Sequence, residues 1–152
     1  VAILDFDVHQ GNGTEDIFVG DDRVLYCSIF QHPFFPFTPP PENSDRIISI
    51  PLEASAGSEE FRAAVSDHWL PALQRFQPEM LFISAGFDAH RDDEMSDVNL
   101  TDADFRWVAE HMVRVAADCC GDRIVSVLEG GYELHSLARC VEMHLRVLMG
   151  LH

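Results

Sequence analysis

The chain contains no lysine: all 10 of its basic residues are arginine, against 26 aspartates and glutamates, and the net charge is −16. Without lysine, the protein cannot form a Schiff base or use a lysine nucleophile. The shortage of positive charge argues against a nucleic-acid groove, because little is present to neutralise phosphates. We therefore expect no direct contact with nucleic acid, whereas a cationic substrate is attracted electrostatically.

Long apolar runs are also absent, since none approaches the roughly 20 residues that span a bilayer. No basic segment followed by an apolar one opens the sequence. Cysteine is sparse and lacks CxxC spacing, which indicates reduced, structural thiols rather than a disulfide framework; the four are Cys27, Cys119, Cys120 and Cys140. We expect a cytoplasmic protein that does not bind membranes.

The 152 residues are 47% hydrophobic, enough for a buried core in a single domain over 1–152. Short apolar runs rich in β-branched residues predict strands buried on both faces, at 1–7, 24–29, 47–52, 80–85 and 124–128. Helical periodicity occurs at 58–76, 101–120 and 135–151, with a capping-box pattern at Thr101. Strands alternating with helices predict an α/β fold with a mostly parallel sheet sandwiched by helices.

Ionisable residues end the first predicted strand, where Asp5, Asp7 and His9 project to one side because strand side chains alternate. Three such groups on a buried face are costly unless they are paired or bound to metal. The alternative is that they cap a helix beginning near Asn12 or bond loop amides. All three together, at the carboxyl end of an apolar strand, favour a metal site.

The fourth predicted strand also ends in an acid, Asp88, two residues after Gly86. Asp88 is the natural third ligand, and two carboxylates with one imidazole leave a position for water, as in catalytic zinc sites. His90 is a further candidate ligand, although a role in lining the loop is the better interpretation because the strand has ended. The acids that follow are expected to form a solvated rim: Asp92, Asp93, Glu94 and Asp97.

A glycine pair and a tyrosine, Gly130-Gly131-Tyr132, follow the fifth predicted strand. Glycines let the backbone pass close to a ligand, and a tyrosine held beside them can donate a hydrogen bond to an oxyanion. After a Gly-Gly turn, a tyrosine with a structural role is commoner than a catalytic one. The catalytic interpretation of Tyr132 depends on its sharing the strand-end edge with the two acidic motifs.

The segment 31–44 interrupts the pattern with five prolines and three phenylalanines, Phe34, Phe35 and Phe37. Such a segment is neither a helix nor a central strand. A disordered linker rarely carries three phenylalanines, so we expect a packed loop beside a pocket.

Taken in order, the three strand-end motifs resemble the zinc-dependent histone deacetylase family, which includes bacterial acetylpolyamine amidohydrolases. They are Asp5-Phe6-Asp7-Val8-His9, Gly86-Phe87-Asp88-Ala89-His90 and Glu129-Gly130-Gly131-Tyr132. The resemblance covers essentially the whole chain but only the C-terminal half of the family's catalytic domain. It implies an arginase-like fold, a parallel sheet between helix layers, and further protein upstream of Val1.

By position, the resemblance implies that Asp7, His9 and Asp88 bind zinc and that Tyr132 stabilises the tetrahedral oxyanion. It implies a structural potassium site built from side-chain and backbone oxygens of Asp5, Asp7, His9, Ser28 and Ile29. A second monovalent-cation site uses backbone oxygens of Phe18, Asp21 and Val24. Phe35 matches the aromatic that lines the acyl-lysine channel, and Gly131 is assigned to the same channel.

The sequence departs from the family in one important respect, because it contains no His-His pair. The family's tandem histidines act as general base and acid, and the resemblance places them upstream; Asp5 and Asn12 stand where the family orients them. Phe37-Thr38-Pro39 replaces the usual Gly-Thr-Gly, and 94–97 replaces Pro-Leu-Gly-Gly. Both changes fall on rim loops and affect the choice of substrate rather than metal binding.

The leading hypothesis is a zinc-dependent amide hydrolase that removes acetyl or related acyl groups from lysine side chains or polyamines, so its partner is an acetylated amine. The missing histidine pair keeps open a non-catalytic metal-binding or interaction domain. A manganese ureohydrolase on the same fold is the third hypothesis, but it needs an Asp-x-Asp where the sequence supplies only Asp88. The oligomeric state stays open, a homo-oligomer included.

Overall fold

A computed structural model describes residues 1–151, in which five strands form one parallel sheet. The strands are β1 (Ala2–Asp5), β2 (Leu25–Gln31), β3 (Ile47–Leu52), β4 (Leu81–Ala85) and β5 (Ile124–Leu128). In the order β3-β2-β1-β4-β5, each strand is parallel to its neighbours. The predicted strands and the parallel α/β sheet are therefore confirmed.

The helices are α1 (Asn12–Phe18), α2 (Ser58–Ala64), α3 (Leu70–Phe76), α4 (Asp102–Val115) and α5 (Leu134–Leu148). A π-helical segment, Val65–Trp69, joins α2 to α3, and another, Ala116–Cys120, extends α4. The predicted capping box is present, since the N–H of Thr101 donates to Asp104 at 2.9 Å. None of the helices within residues 1–151 combines the length and apolar character that crossing a membrane requires.

One face of the sheet carries the core. Leu4, Cys27 and Ile83 lie side by side on three neighbouring strands, and all three are buried. Trp69 and Phe105, from the helices, belong to the same hydrophobic core. Burial of this face against the helices fixes where the carboxyl ends of β1 and β4 lie.

The opposite face is covered less completely. There α1 contributes the buried Glu15, which accepts a hydrogen bond from Oγ of Ser49 on β3 at 2.9 Å. On the edge strand β5, Val125 and Val127 are 37% and 50% exposed. The prediction that every strand is buried on both faces is therefore wrong for β5, because α5 contacts the face that carries Ser126 whereas the valine face is left exposed.

The strand order reverses between β1 and β4, since β2 and β3 are added on one side of β1 and then β4 and β5 on the other. In open parallel sheets, such a switch point leaves a crevice beyond the carboxyl ends of the two central strands. The loops that carry Asp7, His9 and Asp88 leave the sheet at this crevice.

Candidate active site

Three predicted ligands meet in the crevice between the ends of β1 and β4. Nδ1 of His9 lies 3.0 Å from Oδ1 of Asp7 and 3.1 Å from Oδ2 of Asp88. One donor atom from each of the three residues lies within 4.8 Å of the others. Metal–ligand bonds of about 2 Å in a tetrahedron separate the donor atoms by about 3.3 Å, so the spacing suits an ion of the size of zinc.

Asp88 gives the clearest sign that the cluster suits a cation. Its Oδ1 accepts the backbone N–H of Val8 at 2.9 Å. Its buried Oδ2 has no aligned hydrogen bond, although Nδ1 of His9 is only 3.1 Å away. Because an unsatisfied buried carboxylate oxygen is costly, the free lone pair of Oδ2 is best explained as a ligand.

Backbone amides orient the carboxylate of Asp7. Its Oδ1 accepts the N–H of His9 at 2.8 Å, and its Oδ2 accepts the N–H of Gly130 at 2.8 Å. A Cβ at Gly130 would overlap the carboxylates of both Asp7 and Asp88, and one at Gly86 would overlap Asp7. Glycine is therefore required at both positions for the loops after β4 and β5 to approach the cluster.

The electrostatics of the cluster favour a positive charge. The hydrogen bond to Asp7 and the close contact with the carboxylate of Asp88 raise the pKa of His9 to about 10. Burial opposes ionisation of Asp7, but hydrogen bonds from His9 and Gly130 hold its pKa below the usual range. Burial raises the pKa of Asp88. The protonated imidazole thus serves as the cation between two carboxylates, and metal binding requires the loss of this proton.

Asp5 is buried at the end of β1. Its Oδ2 accepts the hydroxyl of Tyr26 at 2.8 Å and its Oδ1 the N–H of Asp7 at 3.1 Å. Burial raises the pKa of Asp5 to about 7. Ser28 stands opposite Asp5 on β2, and Ile29 follows it. These residues are near one another, but their role in a potassium site stays a prediction.

The second expected cation site lies in the turn after α1. The N–H of Asp21 donates to the carbonyl of Phe18 at 3.0 Å, and the N–H of Val24 donates to that of Asp21 at 3.2 Å. Each carbonyl oxygen has a second lone pair. Cation binding by these oxygens stays a prediction as well.

Tyr132 stands at the rim of the pocket that Asp7 and His9 line, and it is 56% exposed. Burial of part of the ring and the nearby charge of Asp88 raise the pKa of Tyr132. Its hydroxyl is therefore protonated near neutral pH and can donate a hydrogen bond. Gly131 precedes it with a φ of 142°, and a Cβ there would lie 2.7 Å from Leu137.

The loop rich in proline and phenylalanine packs beside His9, as expected, although β2 extends one residue into it, to Gln31. Phe34 stacks on the imidazole of His9 with 5.4 Å between ring centroids, and Phe35 meets it edge-on at 6.2 Å. Phe35 and Phe37 are 62% and 76% exposed. The substrate-channel roles of Phe35 and Gly131 stay predictions.

His90 turns away from the ligand cluster. Its Nδ1 accepts the N–H of Asp92 at 3.1 Å, and its Nε2 lies within hydrogen-bond distance of Oδ1 of Asp102, at 3.1 Å. Cys140 donates to the same oxygen at 3.2 Å. These donor atoms are close enough together for a metal ion, but they satisfy one another by hydrogen bonding, unlike Oδ2 of Asp88. The cluster is better explained as a hydrogen-bond network that fixes the loop.

One acid of the expected solvated rim is buried instead. Asp93 is 5% exposed, and its Oδ2 accepts the N–H groups of Tyr132 and Glu133 at 2.7 and 3.1 Å. Sequence spacing does not show that the loop after β4 meets the loop after β5. The only signal was the pair Gly130-Gly131, which is typical of a close backbone approach.

Comparisons with known proteins identify the family. The histone deacetylase domain matches residues 1–148. Type-2 histone deacetylase 2 of Dictyostelium discoideum is 36% identical over 98% of this chain and 10% of its own length. The chloroplastic histone deacetylase 14 of Arabidopsis thaliana is 35% identical over 99% of this chain and 37% of its own length.

A solved structure shows the same fold. The acetylpolyamine aminohydrolase from Burkholderia pseudomallei superposes with a TM-score of 0.85 and 31% identity, covering 99% of this chain and 45% of that one. The chain therefore spans less than half the length of each of these proteins, and the expected deacetylase-like α/β fold is confirmed. Because the family domain covers nearly all of its residues, the chain belongs to the histone deacetylase family.

Proposed function

We propose that the protein is a zinc-dependent amide hydrolase that removes acetyl or related acyl groups from lysine side chains or polyamines. The observation that carries this proposal is the convergence of Asp7, His9 and Asp88, with one buried oxygen of Asp88 lacking an aligned hydrogen bond. Three protein ligands that leave a fourth position for water are typical of catalytic rather than structural zinc sites. The family, whose members here are named deacetylases, supports the reaction class.

In this proposal Asp7, His9 and Asp88 hold zinc, which when bound polarises the amide carbonyl and activates water. Tyr132 donates a hydrogen bond from its hydroxyl to the oxyanion that develops on that carbonyl. A contact of this type contributes about 3–4 kcal/mol to the stability of the transition state. Phe35 and Gly131 line the path of the acyl chain to the site.

We also propose that residues 1–152 are the C-terminal half of a larger catalytic domain, and that the general base and acid are histidines in another segment of the polypeptide. The exposed valines of β5 support this proposal, since a sheet face of this kind is normally covered. The lack of a His-His pair in the sequence supports it as well. Structural potassium at Asp5, Ser28 and Ile29 is part of the same proposal.

The test uses the full-length polypeptide, stripped of metal and reloaded with zinc, on acetyl-lysine peptides and acetylated polyamines. We expect zinc-dependent release of acetate, and we expect Tyr132→Phe to lower kcat by about 10²–10³-fold with little change in KM. Asp88→Asn removes bound zinc, measured by elemental analysis, whereas Glu94→Gln, an exposed acid on the same loop, retains it. No hydrolysis of any substrate by the zinc-loaded protein would refute the proposal.

Two alternatives predict different outcomes of the same experiment. A non-catalytic metal-binding domain, suggested by the missing histidine pair, binds one zinc ion but hydrolyses nothing. A manganese ureohydrolase binds two manganese ions. Within residues 1–151, the ligand cluster contains a single acid from the loop after β4, Asp88, which favours one ion over two.

A further inference from the structure

We propose that Asp93 is a positioning residue for Tyr132, because its carboxylate fixes the backbone of the loop that presents the tyrosine hydroxyl. The contacts of Asp93 with this loop do not depend on the proposed function. The kinetic consequence rests on the proposed hydrolase function, whereas the effect on the environment of Tyr132 can be measured without activity.

Asp93 joins backbone amides from two loops. Its Oδ2 accepts the N–H of Tyr132 at 2.7 Å and that of Glu133 at 3.1 Å, while its Oδ1 accepts the N–H of Met95 at 3.0 Å. Hydrogen bonds to an ionised acceptor are shorter and stronger than neutral ones. Since Asp93 is 5% exposed, water cannot readily replace these three bonds.

The loop that carries Tyr132 needs such an attachment. Tyr132 is 56% exposed, and Leu134, where α5 begins, is 73% exposed. Two glycines precede the tyrosine, and glycine gives the backbone more freedom than any other residue. Gly130 is held by Asp7, to which its N–H donates at 2.8 Å. Beyond Gly131, the bond to Asp93 holds the backbone at Tyr132.

Asp93 is itself anchored to the loop that carries the proposed zinc ligand Asp88. The N–H of Asp93 donates to the carbonyl of His90 at 2.8 Å, and Oγ of Ser96 donates to the carbonyl of Asp88 at 2.8 Å. One short segment therefore sets the positions of both Asp88 and Tyr132. In the proposed reaction, this arrangement fixes the tyrosine hydroxyl relative to the reacting carbonyl.

The kinetic experiment compares Asp93→Asn with Asp67→Asn, the same change at an exposed acid in the segment Val65–Trp69, in the zinc-loaded, full-length protein. In Asp93→Asn, the asparagine is similar in size but sets an NH₂ group against one of the backbone N–H donors. Misplacement of a catalytic group by about 1 Å costs up to about 10²-fold in rate. We therefore expect Asp93→Asn to lower kcat about 10- to 100-fold with KM nearly unchanged, and Asp67→Asn to change neither.

A double-mutant cycle separates positioning from a general loss of structure. If Asp93 acts through the hydroxyl of Tyr132, adding Asp93→Asn to Tyr132→Phe lowers kcat no further. Asp93→Glu keeps a carboxylate at this position. A kcat for Asp93→Glu that lies between those of Asp93→Asn and the unsubstituted protein also supports the proposal. Losses that multiply independently in the double variant would overturn it.

The second readout is ¹⁹F NMR of protein labelled with 3-fluorotyrosine, with the Tyr132 resonance assigned by its absence in Tyr132→Phe. We expect Asp93→Asn to shift or broaden this resonance and leave that of the buried Tyr26 unchanged, with or without zinc. An unchanged Tyr132 resonance in folded Asp93→Asn would overturn the proposal even if no hydrolase activity is found. Should Asp93→Asn fail to fold, Asp93→Glu keeps the charge, displaces the oxygens and is expected to shift the same resonance.

Discussion

Glycines decide how closely the loops approach the two carboxylates of the site. The N–H of Gly130 reaches Asp7 at 2.8 Å, and any Cβ at this position would overlap Asp7 and Asp88. Gly13, on α1, has no atom within 4 Å of the position of a Cβ. Replacement of glycine by alanine is therefore expected to disturb the ligand cluster at Gly130 but not at Gly13.

We expect Gly130→Ala to weaken zinc binding by about 10- to 100-fold, because a displaced hydrogen-bond partner misaligns the ligands that it orients. Competition with a chromophoric chelator measures the affinity. The matched control is Gly13→Ala, which leaves zinc affinity unchanged and stabilises the helix by up to about 1 kcal/mol. Unchanged zinc affinity in Gly130→Ala would show that the close approach of this loop is dispensable.

A second prediction at the residue scale concerns His144, which is 3% exposed on α5 beside Phe6 and Phe87. Burial lowers the pKa of His144 to about 4. The unfolded state, with a pKa of about 6.5, binds more protons between these values. The contribution of His144 to the free energy of unfolding therefore falls by up to about 3 kcal/mol as the pH drops from 6.5 towards 4.

Urea unfolding at several pH values between 4.5 and 7 tests this prediction. We expect the free energy of unfolding of His144→Gln, relative to that of the unsubstituted protein, to rise by about 1–3 kcal/mol as the pH drops through this range, because the variant lacks the contribution of His144. His68→Gln, which changes an exposed histidine, should leave the pH dependence as it is. The same slope in His144→Gln and in the unsubstituted protein would assign the pH dependence to other groups.

At the scale of elements, Asp104 joins two helices through one buried carboxylate. It accepts hydrogen bonds from the N–H and hydroxyl of Thr101 at 2.9 and 2.8 Å, which begin α4. It also accepts from Ser58 at 2.7 Å and from Nε of Arg62 at 2.8 Å, both on α2. The capping box that local sequence predicts is thus also a contact between helices.

We expect Asp104→Ala to lower the free energy of unfolding by about 2–4 kcal/mol, because several donors lose a buried acceptor. Glu110→Ala, on the same helix, removes only an exposed pair with Arg106 and should cost less than about 1 kcal/mol. Chemical denaturation of the two variants measures the difference. Equal, small losses would mean that Asp104 contributes no more than an ordinary surface acid.

At the scale of the whole molecule, the sheet has one covered face and one partly open face. The open part lies at β5, where Val127 is 50% exposed. An open apolar strand is normally protected by another element. If the chain is half of a larger catalytic domain, as proposed, another segment of the polypeptide covers β5.

We expect Val127→Asp to destabilise the full-length polypeptide by about 2–4 kcal/mol, because it buries a charge under the covering segment. In residues 1–152 expressed alone, the same substitution should cost less than about 0.5 kcal/mol, as at other exposed positions. Thermal and urea unfolding of both forms measure the costs. A small cost in both would show that nothing covers β5.

Much of the fold and the identity of the candidate ligands could be predicted because both depend on local patterns. Apolar runs and helical periodicity locate the strands and helices, and the acids at the ends of two strands are visible as motifs. Asp93 could not be predicted in the same way, since it is one of several acids in a short segment. Its burial depends on a partner 39 residues away, the N–H of Tyr132.

The sequence by itself determined the parallel α/β architecture, the strand-end positions of Asp7, His9 and Asp88, and the strongly acidic character of the chain. Only the tertiary structure decided that His90 turns to Asp102 rather than to the ligands, that Asp93 holds the tyrosine loop and that one face of β5 is open. The physical reason is that local patterns depend on neighbouring residues, whereas burial and hydrogen-bond partners depend on which distant loops the fold brings together.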